Sequence, residues 1–515
     1  MHLLIRTPDW FDRAGDRANA ILVKETRQAL KSRQFLLAFL LQLAGAWLVS
    51  LFAMLQHAET LDYAPAGRDF FTGFYFVLLA AVFVMVPFNA FRSLLAEREQ
   101  NTYDVLAITV VTPGQIVRGK LLSAVVQMFL YYSAITPFIA FASLLNGFDL
   151  AEATFLLVAS VFISIGCTMA AIFLAAQEST LRWPTLSSLA VLAGLVFLLV
   201  GYYGGVLDMM RMDEFGRAFR DRDFWWVLGG LGVAWLTYFV LFMQLAAAGL
   251  TFASDNRGTG IRITCALQFW LLWGVAFGVV SMTGARVDSE LVFALASISG
   301  LHWLVVGTFV ATEPPTLSRR TFQRLPKSTL FRLLLVPLLP GGGRGFLYVG
   351  LHAVALAGVA AAMSWTIPVS YSWGPRLESV APYSIAIACQ LVMYVGFAAW
   401  LGRVLPKLAP AARPQHARML MALVVAVGSI VPVVVHFVRD VGMFQYNLLD
   451  VVSPLASLIA VDQRGGRPIE GFFPAGPILA VAIFALNVPA MLRGIREVLD
   501  PEPSPAAVES DHVPR

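Results

Sequence analysis

"AEREQNTYDVLAITVVTPGQIVRGKLL", Ala96 to Leu122, is a polar interruption between two long apolar runs. It carries Glu97, Arg98, Glu99 and Asp104 close together, then alternates apolar and polar residues, then breaks at Thr112-Pro113. Whether its flanks cross a membrane decides the fold. A charged side chain at the centre of a bilayer costs about 2.5–3.5 kcal/mol. Three in succession would offset most of what one apolar span gains. The run before them therefore ends near Phe91, the chain emerges into water, and the next run enters the bilayer after Lys120.

The same alternation recurs along the whole chain. Of its 515 residues, 58% are hydrophobic and 13% charged, against about 25% charged in soluble domains. Apolar stretches of 18 or more residues read as membrane helices. Twelve are predicted: Phe35–Leu55, Phe70–Phe91, Leu121–Leu145, Ala153–Ala176, Thr185–Leu207, Trp226–Leu250, Ile261–Ser281, Leu291–Thr312, Phe346–Thr366, Pro382–Leu401, Met419–Val438 and Pro474–Leu492. The expected fold is an all-α polytopic transmembrane helical bundle. Asn447–Ala460 is apolar but short and holds Pro454, so it is expected to be re-entrant or interfacial.

Lysines and arginines orient the bundle. With the N-terminus cytoplasmic, most of the 37 fall on the inner side, which predicts both termini inside. Arg211, Arg217, Arg220 and Arg222 fall outside, among acids that leave their loop near neutral. The net charge of +5 is this bias and not a nucleic-acid footprint. The first apolar run follows several basic residues and is long enough to stay in the bilayer, so no cleavable signal peptide is expected. Cys167, Cys265 and Cys389 lie in spans and make no disulfide or metal set. The Pro-rich tail, 500–515, is expected to be disordered.

Between the second and third spans, roughly 93–112, the mixture of apolar and charged residues suits a short helix against the membrane surface. Thr112 then caps a helix, Pro113 takes its first position, and Gln115 has capping-box spacing. Gly114 to Lys120 matches GxxxxGK, but Leu121 stands where a phosphate-binding loop needs Ser or Thr, and no strand precedes it. Before the first span, Ala18, Ile21, Leu22 and Ala29 share one helical face. Lys24, Arg27 and Lys31 share the other, as in an interfacial helix. Glu25 falls on the apolar side, where it either snorkels or pairs with a cation such as Arg98.

These two segments resemble the permease subunits of ABC-2 type ATP-binding-cassette exporters. There an elbow helix like "NPILxKELR" precedes the first span; here the stretch from Asn19 reads "NAILVKETR". After the second span the family has a stretch like "ERExGTLELLLLTPLSPxEIVLGKLL". Glu97, Arg98, Glu99, Thr102, Leu106, Thr109, Pro113, Ile116, Val117, Gly119, Lys120 and Leu121 fall in step with it. The resemblance implies a coupling helix that docks on a separate cytoplasmic ABC ATPase, with Glu97, Arg98, Glu99, Thr102 and Asp104 at that interface and Lys24, Glu25 and Arg27 on the elbow. It implies ATP and Mg in the partner, no cofactor on this chain, pairing as a homodimer or heterodimer, and a bacterial inner membrane. It covers two blocks between Asn19 and Leu122, and the six spans of residues 35–250 match the size of one such transmembrane domain. The second half, 251–499, is not explained by it. Its longest inner loop, 313–345, is basic, and "PGGGRG" from Pro340 is expected to be a flexible approach to the next span.

Two other classes compete. An ion-coupled carrier normally keeps ionisable residues in its spans, and these spans hold mainly Gln42, Asn89, Gln127, Gln244, Gln268, Gln390 and Asn487, with His302 and His436 isolated. A lipid-linked glycosyltransferase needs outer-loop carboxylates; Glu59, Asp62 and Asp69 are there, without HExxH or a His/Cys cluster.

Overall fold

A computed structural model describes residues 20–58, 65–99, 112–177, 184–212, 214–252, 255–283, 289–366, 377–439, 448–462 and 472–499. Thr102, Asp104 and the tail from 500 lie outside the described residues, as does the side chain of Glu99. Every regular element described is helical. Twelve helices are long and apolar enough to cross a membrane, and the chain is an all-α, multi-pass membrane protein. It divides into two compact units, residues 1–251 and 252–515. Below, the near end of a unit is the end at which its first span begins.

In the first unit, α1 (Ala20–Leu30) is the elbow. It stops where Ser32 caps the next helix, its hydroxyl accepting from the Phe35 N–H at 3.1 Å, a side-chain substitute for an unpaired helix donor. The spans are α2 (Arg33–Gln56), α3 with α4 (Gly67–Leu79 and Val86–Glu99), α5 (Pro113–Leu144), α6 (Leu150–Gln177) and α7 (Pro184–Arg211). After the short α8 (Glu214–Ala218) comes α9 (Arg222–Leu250). The span formed by α3 and α4 is the most buried of the unit. Phe70, Phe71, Phe74, Tyr75, Leu78 and Leu79 are all enclosed, with α5 and α6 packed along it. By contrast, α2 turns Leu37, Leu41 and Trp47 outward, the surface a lipid-facing helix needs.

Between α3 and α4 lies a π-helical segment, Ala80–Met85. Pro87 explains it. Its ring has no N–H for the carbonyl four residues back and crowds that carbonyl, so the ladder is re-spaced. The Val86 N–H bonds Ala81, five residues back, and the Ser164 hydroxyl donates to the loosened Val82 carbonyl at 2.6 Å. Farther from the near end, the Tyr75 hydroxyl donates to the Leu156 carbonyl at 2.9 Å and meets the Tyr202 hydroxyl at 3.0 Å. The core span is thus tied to α6 and α7 as well as packed.

The second unit holds α10 (Thr259–Thr283), α11 (Ser289–Ala311), short α12 (Arg319–Gln323) and α13 (Thr329–Leu335), then α14 (Gly342–Thr366), α15 (Leu377–Leu408) and α16 (Pro414–Arg439). The short α17 (Pro454–Asp462) and the span α18 (Ala475–Leu499) complete it. Here the most buried span is the fourth, α15, packed by α11, α14 and α18. The segment 448–462 forms a 3-10 turn and α17, and packs on α15 and α16. Gln390 donates to the Ser457 hydroxyl at 2.9 Å, Tyr394 donates to the Val452 carbonyl, and Ser453 donates to the Ser429 carbonyl at 2.9 Å. These bonds satisfy a non-spanning backbone inside protein, where it is tolerated.

Two expectations need correction here. His436 is not isolated: its Nε2 lies 2.7 Å from the Asp450 carboxylate, and both side chains are buried. Nor is "PGGGRG" a flexible approach. A Cβ on Gly345 would lie 2.2 Å from the Val310 carbonyl oxygen, and one on Gly343 2.4 Å from that of Ala490. The missing side chains let α14 press against α11 and α18.

Candidate functional site

The near end of the first unit is fastened by charge. Glu25 on α1, Ser93 and Glu97 on α4, and Lys120 on α5 converge there. The Lys120 ammonium lies 3.1 Å from the Glu25 carboxylate and 3.1 Å from that of Glu97, and donates to the Ser93 hydroxyl at 2.8 Å. Ser93 in turn donates to Glu25 at 3.1 Å. Only 2% of the Lys120 side chain is exposed. Lys24 closes the group from outside, 3.5 Å from Glu97 and 3.8 Å from Glu25, with 53% of its side chain in the open. Two cations and two carboxylates balance, which is what makes the burial tolerable. Removing one partner of such a pair costs about 3–5 kcal/mol.

Local sequence sets each group in place. The α1 face that buries Glu25 is the apolar one, so the residue that looked misplaced points inward. On α4, Ser93 and Glu97 are four apart and share a face. Thr112 is extended and caps α5; its N–H donates to the Gln115 side-chain oxygen at 2.8 Å, and Pro113 opens the helix. That start sets Lys120 two turns in, facing α1 and α4.

Arg98 faces elsewhere. It does not meet Glu25; its Nη2 donates to the Gly249 carbonyl at 2.8 Å, at the C-terminal end of α9, where a cation suits the helix dipole. Neighbouring residues on α4 therefore bind the elbow and third span on one side and the sixth span on the other. Of the anticipated site residues, Lys24, Glu25 and Glu97 come together, Arg98 stands beside them, and Thr112, Pro113 and Gln115 form the start of α5. Arg27 is exposed. Sequence reasoning missed Lys120 and Ser93. The sequence marks Lys120 as the entry to the third span, as a residue in step with the family stretch and as the end of a phosphate-loop match, and none of these signals an ion-pair partner.

The near end of the second unit has its own network. Arg262 on α10 contacts Glu313 at 2.5 Å and donates to the carbonyls of Pro337 and Leu339. Glu313 also accepts the Gly341 N–H at 2.7 Å; Gly341 has φ +133°, open to glycine alone. Arg344 contacts Glu497 of α18 at 2.9 Å, and Glu497 accepts the Leu317 N–H at 2.7 Å. Both guanidinium side chains are enclosed.

Each cation of the two networks is taken up by carboxylates or carbonyls, and no cluster of His, Cys, Asp or Glu suited to a metal exists among the described residues. The first unit has a charged knot joining elbow, second span and third span at the near end of its most buried span. No family model, curated protein or solved structure matches the chain.

Proposed function

We propose that this chain is the membrane permease of an ATP-driven exporter of the ABC-2 type, worked by a separate cytoplasmic ATPase that docks on the segment after the second span. The observation that carries the reading is the fastening of that span. Its near end is held through Glu97 and Arg98 to three other helices, and the same span is the most buried of its unit. Force applied just beyond Glu99 reaches the core through it. ATP drives such a device only by binding two conformations of the assembly unequally. The charge-poor spans suit a hydrophobic or amphipathic cargo, and the host membrane is a bacterial inner membrane.

The test separates docking from folding. Glu97 is part of the buried knot, so its neutralisation confounds the two. Glu99→Gln with Asp104→Asn changes none of Lys24, Glu25, Ser93, Glu97 and Lys120. Copurification of an ATP-binding-cassette ATPase with the tagged chain from native membranes is expected for the parent and lost in this double variant, with membrane insertion unchanged. An undiminished yield of ATPase, or none with the parent, overturns the reading.

One observation favours a second reading. Asp450 and His436 form an ionisable pair inside the bundle, and intramembrane ionisable groups mark ion pathways. A proton-coupled carrier predicts uptake or efflux that collapses with protonophore while ATP is held constant; the exporter predicts the reverse.

A further inference from the structure

We infer that the α12–α13 connection of the second unit is a seat for an anionic phospholipid, its headgroup in the cleft beside Arg320 and Arg324 and its acyl chains against α13. Three observations converge. First, α13 is a short helix with the surface of a membrane-contacting segment: Leu330, Phe331, Leu333 and Leu334 are each at least half exposed. No soluble surface keeps four such neighbours in water without a reason.

Second, its depth is fixed. The turn that follows α13 is held by Arg262, which takes the carbonyls of Pro337 and Leu339. Arg262 lies in the first turn of the span α10, and α13 also packs on α18, whose last turn carries Glu497. The helix therefore lies at the bilayer boundary on the near end, the cytoplasmic side by the lysine and arginine bias.

Third, the adjoining cleft is cationic. It has a volume of about 200 Å³ and is lined by Asn256, Thr259, Arg320, Arg324 and Leu335, among others. Leu335 belongs to α13, so polar seat and apolar helix are continuous. Asp255 also lines it and pairs with Arg320 at 3.1 Å, an exposed contact that a phosphate displaces at little cost. Arg319, Arg324 and Lys327 make no ion pair among the described residues, while Glu313 and Glu497 are already engaged. The uncommitted charge on this face is positive, and anionic headgroups attract each such cation at the surface by roughly a fivefold gain in occupancy.

The inference stands apart from any ATPase, and the test uses the full chain in vesicles. Cys167, Cys265 and Cys389 are replaced by alanine, Phe331→Cys carries an environment-sensitive fluorophore, and quenching is read with doxyl-labelled phosphatidylglycerol or phosphatidylcholine and with aqueous iodide. Doxyl lipid is expected to quench and iodide is not. The phosphatidylglycerol probe is expected to quench at least roughly fivefold more effectively than the phosphatidylcholine probe. That ratio falls toward one in R320Q/R324Q, whose side chains are not part of the buried networks. Quenching by iodide and not by lipid overturns the inference, because α13 then faces water or a soluble partner. A ratio near one in the parent, or unchanged in R320Q/R324Q, removes the headgroup seat. If R320Q/R324Q inserts poorly, R324Q alone supplies the same reading.

Discussion

Both units pair an acid near the end of the second span with a base on another span, the third in one unit and the first in the other. Glu97, in the last turn of the second span, meets Lys120, and Glu313, two residues past the second span of its unit, meets Arg262. In both, the second span packs along the third and fourth, and the fourth along the sixth. Yet the most buried span is the second in one unit and the fourth in the other. Glu97 therefore sits on the core helix itself. The core helix of the second unit, α15, is bonded instead to the segment 448–462 through Gln390 and Tyr394. The same kind of ion pair grips the core helix in one unit and a neighbour of the core helix in the other.

Replacing the buried cation is the harshest test of that contrast. Lys120→Met and Arg262→Met should each destabilise by about 3–5 kcal/mol, measured by titration with SDS. Hydrogen exchange should tell them apart: faster exchange through 67–99 for Lys120→Met, and exchange confined to 259–265 and 336–345 for Arg262→Met. Spread of the second disturbance along α15 would erase the distinction. Next in size, the charge swap Glu25→Lys with Lys120→Glu should recover roughly 0.5–3 kcal/mol relative to the sum of the single changes. Zero recovery means the elbow is held by packing alone.

Ser164→Ala and Tyr394→Phe compare the two core helices directly. Each deletes one intramembrane hydroxyl bond, worth about 0.6 kcal/mol on average and up to about 1.7. The first should loosen exchange near Val82, the second near Val452. The smallest effect belongs to Lys24→Gln, an exposed pair, expected within about 1 kcal/mol and weakened by salt. A larger loss would mean that the knot depends on its exposed member.

Much of this fold is legible from local signals. Span number follows from apolar length, and the start of α5 from Thr112-Pro113 with Gln115, since a capping box involves residues three apart. The wiring is not local. Lys120 meets carboxylates on two other helices, and nothing in its neighbourhood names them. Glycine misleads for a physical reason: at Gly343 and Gly345 a missing side chain permits looseness or close contact, and only the facing carbonyl decides. His436 and Asp450 are brought together by a fold-back whose direction the sequence leaves open. Glu25 was conspicuous as a charge on an apolar face, but its partner was not.

The adjacency of Glu97 and Arg98 has a kinematic consequence. Consecutive residues project roughly 100° apart around a helix axis, and these two are tethered to different neighbours. Rotation of the second span about its axis would stretch one tether or the other. The re-spaced turn at Ala80–Met85, where Pro87 loosens the ladder, is the place at which this helix bends most easily, while the two tethers resist its turning about its own axis.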